Sequence, residues 1–321
     1  MSVQSSAIVP DRHPLSRPGA PVAGLAWGLL GVLAFSFTVP LTRVAVGGLD
    51  PLFIGAGRAV VAALLAAGAL ALTRQALPRG RQWLRLAVVA GGVVAGFPLL
   101  TSYALTEVPA SHGAVVIAML PATTAVIIVL RTGERPVRAF WVFAALGAVA
   151  AVGFAMLQGG GTGHLQRADL LLVLGVLACA IGYAEGGAIS RELGSWQAIS
   201  WALVLAAPAM AVLTAVSVVR EQPSATATQW LCFAYLACVS MFLGFFAWYR
   251  GLAIGPMAQV SQVQLAQPVL SIAWAGLLLG EQVTWLTVMG GSAVVACAAG
   301  ASSSRRRAPV VPDRTAVKSP I

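Results

Sequence analysis

One pattern of residues occurs twice along the chain at a constant separation. Four landmarks each recur 147 positions later without an insertion or deletion: Pro109, Pro121, Gly133 and Glu134 correspond to Pro256, Pro268, Gly280 and Glu281. The same offset pairs Gly28 with Gly175, near the start of each copy. Self-similarity over most of a chain indicates that a whole folding unit has been duplicated. The sequence therefore predicts two copies of one fold.

The residues between these landmarks are mostly apolar. Hydrophobic residues make up 59% of the 321 positions, charged residues make up 9%, and the mean hydropathy is +0.86. A soluble domain of this size is far more polar. The apolar residues fall into ten runs, at roughly 24–46, 52–72, 84–103, 110–130, 140–157, 169–190, 196–219, 230–249, 257–279 and 283–301. Runs of about 20 such residues are long enough to cross a bilayer as helices. We predict an all-α membrane protein with ten transmembrane helices.

Polar segments divide the chain into five parts. Residues 1–23 are rich in Pro and Ser and lack the apolar core of a signal peptide, so they are predicted to form a disordered cytoplasmic N-terminal tail. The first repeat is predicted to span 24–157 and the second 169–301, with an external linker at 158–168. Residues 302–321 contain three consecutive arginines and are predicted to form a basic cytoplasmic C-terminal tail.

The basic residues indicate how the helices are oriented. If the N-terminus is cytoplasmic, sixteen of the 20 Lys and Arg residues lie in cytoplasmic segments, and only Arg167 and Arg220 lie in external ones. Cytoplasmic segments of membrane proteins carry an excess of Lys and Arg, so both termini are predicted to be cytoplasmic. This distribution explains the net charge of +10 without a nucleic-acid partner. The chain has one Lys and no Asn, which favours a GC-rich bacterial genome and hence the bacterial inner membrane.

The number of helices in each repeat determines the relation between the two copies. Five is an odd number, so the second copy must enter the membrane from the opposite side. Such an inverted-topology repeat supports alternating access to one central site. We therefore predict a secondary transporter that moves a small-molecule substrate across the lipid bilayer, as a monomer or a homodimer. A non-transporting scaffold or sensor is an alternative.

Both halves carry motifs of a known family. They are Trp27-Gly28, Arg43, Asp50-Pro51, Arg58, Pro109, Pro121 and Gly133-Glu134 in the first half, and Ser190-Arg191, Pro256, Pro268 and Gly280-Glu281 in the second. In this order they resemble the EamA domain of the drug/metabolite transporter superfamily, in which two such domains make ten helices. The resemblance covers about 24–301. One departure is Leu205, which stands at the position equivalent to Arg58.

The resemblance implies export or uptake of small metabolites, commonly amino acids, driven by an ion gradient or by exchange. We expect an exporter of a small polar metabolite, with an amino acid or a related compound as the leading substrate and proton coupling or exchange as the energy source. A sugar, a nucleotide-linked metabolite and a cationic drug are alternative substrates.

No pattern typical of a cofactor or an enzyme occurs in the sequence. The glycine-rich segment 159–163 is not followed by the Lys of a phosphate-binding loop. The four cysteines, Cys179, Cys232, Cys238 and Cys297, lie in apolar runs and include no CxxC pair. The motifs HExxH and GxSxG are absent. We expect no cofactor, no metal and no catalytic residue, and an integral-membrane enzyme is the alternative class.

Glu185 is the one acidic residue that lies well inside an apolar run. A carboxylate within the membrane is costly unless it has a function or a partner. Glu185 is therefore predicted to bind substrate and to couple transport to protons. The alternative is a structural acid, hydrogen-bonded between helices near the cytoplasmic face. Arg58 is not its expected partner, because the two residues lie at different depths along their helices.

The ninth apolar run (257–279) is rich in amides. Gln259, Gln262, Gln264 and Gln267 precede Pro268. They cover too wide an arc of a helix to line one cavity, so we expect two of the four to do so, and Gln262 and Gln267 are predicted to bind substrate. Pro121 and Pro268 each free a backbone carbonyl, which membranes tolerate where the backbone lines water or protein. A simple packing kink is the alternative.

A histidine and several aromatic residues are predicted to contact substrate. His112 is the only histidine in an apolar run, and no second His or Cys lies at a spacing suited to a metal. Tyr103, Tyr183 and Trp248 are candidates for stacking on the substrate. The alternative is that they anchor helix ends at the membrane interface.

Charged residues near helix ends are predicted to form gates. Glu134 is expected at the cytoplasmic level of Arg191, and Glu281 at the external level of Arg43. Each acid would then pair with an arginine of the other half and latch one side while the other side opens. The alternative is that both glutamates cap the helix that follows them. Arg58 is likewise assigned a gating or structural role.

Overall fold

The computed structural model describes residues 20–133, 137–158, 166–254 and 263–305. Every regular element in these ranges is an α-helix or a π-helix. The all-α fold predicted from the sequence is therefore confirmed. Three predicted features, the two tails and Glu134, lie largely or wholly outside the described residues, as do Gln259 and Gln262.

The helices of the two repeats follow one another in the same order. The first repeat consists of α1 (Ala20–Ser36), α2 (Thr38–Ala45), α3 (Pro51–Leu72), α4 (Arg81–Val89), π1 (Ala90–Gly96), α5 (Phe97–Glu107), α6 (Ala110–Ile117), α7 (Leu120–Thr132) and α8 (Arg138–Gln158). The second consists of α9 (Arg167–Leu193), α10 (Ser195–Arg220), α11 (Ala227–Ala234), π2 (Tyr235–Leu243), α12 (Gly244–Ile254), α13 (Ala266–Leu279) and α14 (Trp285–Arg305).

Eight helical stretches within the described ranges are long and apolar enough to cross a membrane. They are Val22–Ala45, Pro51–Leu72, Arg81–Glu107, Ala110–Arg131, Arg138–Leu157, Arg167–Leu193, Ser195–Arg220 and Ala227–Gly251. Two shorter apolar helices follow, Ala266–Leu279 and Trp285–Ala301. The chain is thus a multi-pass membrane protein. The count of ten spans and the orientation of the termini stay predictions.

The repeats share local details beyond the sequence landmarks. A π-helix precedes α5 in the first repeat and α12 in the second, and the two π-helices end 147 positions apart, at Gly96 and Leu243. The equivalent helices α7 and α13 both end at a glycine in the left-handed conformation, Gly133 with φ 69° and Gly280 with φ 64°. Only glycine adopts this conformation without strain, so it ends both helices in the same way.

The most extensive helix contacts join one repeat to the other. Helix α3 packs against α10 and α8 packs against α14, and both are pairs of equivalent helices. Helix α1 packs against α12, and its counterpart α9 packs against α5. The contacts therefore repeat themselves under exchange of the two halves, as expected for related copies that face each other.

Glycines permit the closest of these approaches. A Cβ atom added to Gly31 of α1 would lie 2.9 Å from the backbone nitrogen of Trp248, and one added to Gly251 of α12 would lie 2.6 Å from the backbone nitrogen of Gly28. A Cβ atom added to Gly182 of α9 would lie 3.1 Å from the backbone nitrogen of Val93 in π1. Backbones pack this closely in membranes because small residues let them.

The first membrane span is interrupted at Phe37, between α1 and α2. The carbonyl of Ser36 accepts a hydrogen bond of 2.7 Å from the Ser271 hydroxyl of α13, and the Trp274 indole donates one of 2.9 Å to the Ser36 hydroxyl. The Phe37 ring stacks on Trp274 with centroids 4.6 Å apart. Side chains of the second repeat thus satisfy the backbone at this break.

Candidate functional site

A cavity of about 40 Å³ lies between the repeats. Eight lining residues belong to the first repeat: Phe35, Thr38, Val39, Arg58, Val93, Phe97, Pro98 and Leu120. Six belong to the second: Cys179, Tyr183, Ser240, Met241, Phe245 and Gln267. Three pairs among them are equivalent by the 147-residue offset: Val93 with Ser240, Pro98 with Phe245, and Leu120 with Gln267. The cavity therefore lies where the two copies face each other.

The polar side chains of this cavity come from five helical segments: α2, α3, α9, π2 and α13. The hydroxyls of Thr38 and Ser240 share a hydrogen bond of 2.7 Å that joins the two repeats. Arg58 of α3 is 1% exposed, and its Nε and Nη2 atoms have no hydrogen-bond partner among the described residues. Tyr183 and Gln267, which were both predicted to bind substrate, also line the cavity. The cavity thus offers hydroxyl, amide and guanidinium groups to an enclosed ligand.

The aromatic walls of the cavity were not predicted. Phe35 and Phe245 meet edge to face with centroids 4.8 Å apart, and Phe245 also meets Tyr183 at 6.1 Å. They add apolar surface to the lining of the cavity. By contrast, the predicted aromatic residues Tyr103 and Trp248 line neither this cavity nor the smaller one beside it. Trp248 is buried against Gly31, so its role is in helix packing.

A second cavity of about 10 Å³ adjoins the first. It shares Val39, Leu120 and Gln267 with the first cavity and is also lined by the prolines of both repeats, Pro121 and Pro268. Gln264 reaches it as well, and the Nε2 atom of this buried amide has no hydrogen-bond partner among the described residues. Both prolines thus line one small cavity together with Gln264 and Gln267, and their role stays a prediction.

Glu185 lies outside the cavity, at an ion-pair cluster. Its carboxylate pairs with the Arg85 guanidinium of α4 and with Arg131 of α7, whose Nη2 lies 2.7 Å from Oε2. Arg85 also pairs with Glu192 on the same helix as Glu185. The Glu185 side chain is 12% exposed. The cluster joins α9 of the second repeat to two spans of the first, and Arg58 is not part of it, as the depth argument predicted.

Glu281 does not pair with Arg43. Its two carboxylate oxygens accept hydrogen bonds from the backbone amides of Ala110 and Ser111, at 2.7 and 2.9 Å, and so cap the N-terminus of α6. The Arg43 guanidinium instead donates to the carbonyl of Leu105, at 3.0 Å. The expected latch is therefore wrong for this conformation. Glu281 does cap a helix, as the alternative predicted. However, this helix, α6, belongs to the other repeat and is not the helix that follows Glu281 in sequence.

The remaining predicted gate residues are less informative. Glu134 lies outside the described residues, so its expected pairing with Arg191 is not visible. Arg191 is exposed near the end of α9. Arg58, also predicted as a gate or structural residue, lines the cavity instead of a helix end.

His112 forms a buried pair with a residue that the sequence did not single out. Its Nε2 atom lies 2.7 Å from Oδ1 of Asp169, and both side chains are at most 6% exposed. Asp169 also accepts a hydrogen bond of 2.9 Å from the backbone amide of Gln166, as part of a capping box at the start of α9. The capping pattern is the only signal for Asp169 in the sequence, and it does not reveal His112 as a partner 57 positions away.

Two segments of the chain, residues 22–156 and 166–303, match the EamA-like transporter family. Because these segments cover most of the chain, the protein belongs to that family, and the resemblance seen in the sequence is confirmed. It is 46% identical over 274 residues to a protein described as uncharacterized transporter YdeK of Bacillus subtilis (strain 168), with 85% of this chain and 95% of that protein covered. The family and this relative point to a transporter and not to an enzyme.

The architecture also matches a solved structure. A chain described as "Crystal structure of protein" superposes with a TM-score of 0.61, covering 89% of this chain and 99% of the other. The sequence identity is 20%, so this match shows a shared fold.

Proposed function

We propose that the protein is a secondary active transporter that exports a small polar metabolite by alternating access. The observation that carries this proposal is the cavity between the repeats. It is lined by side chains of both halves, and three pairs of its lining residues are equivalent by the internal offset. A site formed between two inverted copies can become accessible from either side of the membrane through equivalent movements of the two halves.

The size of the cavity fits a closed stage of such a cycle. A volume of about 40 Å³ holds roughly three water molecules, since one needs about 10 to 15 Å³. An amino acid would require the surrounding helices to separate. The π-helices π1 and π2 are suited to this movement, because Val93, Ser240 and Met241 line the cavity from them and π-helical segments are often found at functional sites.

The topology expected from the sequence completes this proposal. The arginine-rich helix ends, which include Arg85 and Arg131, would lie at the cytoplasmic face of a bacterial inner membrane, with both termini on the same side. Ten spans would result if the two short apolar helices α13 and α14 also cross the bilayer. The protein would act as a monomer or a homodimer, with an amino acid or a related compound as substrate.

Glu185 is the proposed coupling residue. Protonating its carboxylate would remove the charge that holds Arg85 and Arg131, and so would loosen the contact of α9 with α4 and α7. Proton binding would thereby favour the opening of the arginine-rich end. Transport measurements on Glu185→Gln separate this coupling role from a purely structural one.

Counterflow in proteoliposomes tests the proposed function. Vesicles preloaded with one unlabelled solute at a time, from a panel of amino acids and sugars, are diluted into the same labelled solute. Transient accumulation above that of protein-free vesicles is expected for at least one amino acid. No counterflow with any amino acid or sugar would contradict the proposal.

A matched pair of variants connects transport to the cavity. Gln267→Leu removes an amide from the cavity lining, whereas Gln282→Leu alters an exposed amide at a helix end. Losing one hydrogen bond is expected to weaken the apparent affinity of Gln267→Leu by about 1 to 3 kcal/mol. Gln282→Leu is expected to behave like the wild type. Equal affinities for both variants would place the substrate elsewhere.

A further inference from the structure

Arg58 is a buried cation that lacks a described counterion. Only 1% of it is exposed, although it lies in the first half of a membrane-spanning helix. Two of its three guanidinium nitrogens, Nε and Nη2, have no hydrogen-bond partner among the described residues. Burying a charge without a partner is costly, and intramembrane arginines generally face a partner, a cavity or a ligand path. The charge of Arg58 therefore requires a bound anion or an acidic side chain nearby.

The acidic residues of the described ranges do not supply that compensation. Asp50 accepts from Phe53 and Ser217, Asp169 pairs with His112, and Glu281 caps α6. Glu185 and Glu192 pair with Arg85, whereas Glu107 and Glu221 are exposed at helix ends. No ion pair links any of these carboxylates to Arg58.

The place that Arg58 faces can accept a ligand. It lines the cavity between the repeats, and it is the only formally charged side chain among the fourteen described lining residues. The hydroxyls of Thr38, Tyr183 and Ser240 and the amide of Gln267 supply further hydrogen-bonding groups in the same space. Phe35, Phe97 and Phe245 form an apolar wall beside them. The cavity therefore combines one positive charge, neutral polar groups and an apolar surface.

We propose that Arg58 binds the carboxylate of the transported solute, so that the substrate class is small molecules with one carboxylate and an apolar side. This inference rests on the proposed transport function and specifies its ligand. The planar guanidinium matches a carboxylate with two parallel hydrogen bonds. A single negative charge neutralises Arg58, whereas a doubly charged phosphate would bring one charge for which the described lining has no cation. A carboxylate head group also fits the present volume, and the rest of the molecule requires widening of the cavity.

The second repeat has no arginine at the position equivalent to Arg58. Leu205 occupies the position equivalent to Arg58 in the second repeat, on the equivalent helix α10. At this equivalent position, α3 has an arginine and α10 has a leucine. Among the described lining residues, the positive charge of the cavity therefore comes from the first repeat alone.

Thermal unfolding of the purified full-length protein in detergent tests the proposal without requiring transport. Acetate, propionate, L-alanine, L-valine and L-leucine are compared with the corresponding amides at constant ionic strength. A ligand that binds only the folded protein raises its Tm with concentration. We expect at least one carboxylate to raise the Tm and its amide to have no comparable effect. The acids without an amine distinguish general carboxylate binding from amino acid binding.

Two variants of Arg58 and one control link this selectivity to the guanidinium. Arg58→Gln is expected to weaken carboxylate binding roughly ten- to a hundred-fold, the range expected for losing a hydrogen bond to a charged group. Arg58→Lys keeps the charge and should lose less. Arg220→Gln removes an exposed arginine from the end of α10 and should bind as the wild type does. Since Arg58→Gln removes an unpaired buried charge, its own Tm without ligand should not fall below that of the wild type.

The outcomes separate this inference from the proposed function. Amides that stabilise as well as the acids, no stabilisation by any of the acids, or full carboxylate selectivity in Arg58→Gln would each overturn the carboxylate site. If counterflow then still occurs with uncharged solutes, the proposed transport function is supported although the carboxylate site is refuted. Conversely, carboxylate binding through Arg58 with no counterflow of any solute would leave the site intact and refute transport.

Discussion

Side-chain pairings join the repeats at both ends of α9. His112 and Asp169 connect α6 to α9 near the start of α9, whereas Glu185 connects the other end of α9 to Arg85 and Arg131. The first pair is almost fully enclosed, and the second is partly exposed. Enclosed pairs are costly to break because the remaining partner keeps its desolvation penalty, whereas exposed pairs contribute little.

His112→Ala tests the enclosed pair. The change leaves the Asp169 carboxylate buried without its partner, so the free energy of unfolding is expected to fall by roughly 1 to 3 kcal/mol. His112→Gln is the matched control, because its amide can still donate to Asp169, and it should lose less. Thermal unfolding in detergent measures both. A His112→Ala protein as stable as His112→Gln and the wild type would show that the contact contributes nothing.

Glu185→Gln tests the proposed coupling. The uncharged amide imitates a protonated carboxyl, so the variant should lose proton-driven accumulation of substrate while retaining exchange. Glu192→Gln is the control. Glu192 is the other acidic partner of Arg85, and its side chain is half exposed. The Glu192→Gln variant should accumulate substrate as the wild type does. Accumulation by Glu185→Gln at the wild-type level would leave Glu185 with only the structural role.

Residue types with strong energetic demands were the predictable part of the site. Gln267 lines the cavity, as expected of two of the four amides in its apolar run, because an amide within the membrane requires a polar partner. Tyr183, predicted to stack on the substrate, also lines the cavity. Phe35, Thr38 and Ser240 were missed, since phenylalanine and small hydroxyl residues are common in any membrane helix. Asp169 was missed because it stands at the first position of its apolar run and not well inside it. The pairing of His112 with Asp169 depends on a tertiary contact, and the sequence around either residue does not reveal it.

At the level of whole helices, Glu281 makes a contact between the repeats that its sequence position does not suggest. It follows α13 and caps α6, which belongs to the other repeat. A carboxylate at a helix N-terminus satisfies free amides and interacts favourably with the helix dipole. The end of α13 and the start of α6 are therefore held together through one side chain.

Glu281→Arg is expected to slow transport, because it removes both capping hydrogen bonds and places a cation at a helix N-terminus. The loss in unfolding free energy should be about 0.5 to 2 kcal/mol. Adding Arg43→Glu should not restore transport, since Arg43 donates to the Leu105 carbonyl and not to Glu281. Counterflow rates of the single and double variants measure this, with Gln282→Arg as the neighbouring control. Rescue by the double variant would revive the latch between Arg43 and Glu281.

Adjacent glycines in π1 provide a matched test of helix packing. A Cβ atom on Gly92 would collide with the backbone carbonyl of Ala178 in α9, whereas one on Gly91 would meet nothing within 4 Å. Gly92→Ala is therefore expected to lower the unfolding free energy by about 1 to 3 kcal/mol, as overpacking does. Gly91→Ala should be neutral or slightly stabilising. Equal Tm values for the two variants would contradict the close approach of π1 and α9.

The helical spans were predictable because long apolar runs have few alternatives in a bilayer. The predicted runs and the observed spans agree to within a few residues over the first eight. The π-helices were not predictable from the sequence. Their backbone hydrogen bonds join residues five apart instead of four, and no characteristic residue composition distinguishes them from α-helices. The break at Phe37 was missed for a related reason: the side chains that satisfy it, Ser271 and Trp274, belong to α13.

For the molecule as a whole, the duplicated sequence and the cavity support each other. The offset of 147 residues was found in prolines, glycines and glutamates near helix ends. It then relates cavity residues that were not used to find it, such as Val93 and Ser240. The two copies also differ where the ligand is proposed to bind, at Arg58 and Leu205. Symmetry in the framework and asymmetry in the site are what a transporter of a polar, asymmetric solute requires.

Distances across both ends of the molecule test the central claim of alternating access most directly. Spin labels in a cysteine-free variant are placed at Thr106 and Gln282 near the Glu281 end, and at Arg138 and Glu192 near the Glu185 end, all of them exposed. Each pair joins the two repeats. Electron–electron double resonance in nanodiscs, with and without a solute active in counterflow, should show one distance lengthening as the other shortens. Distances that lengthen together, or that do not change, would contradict alternating access.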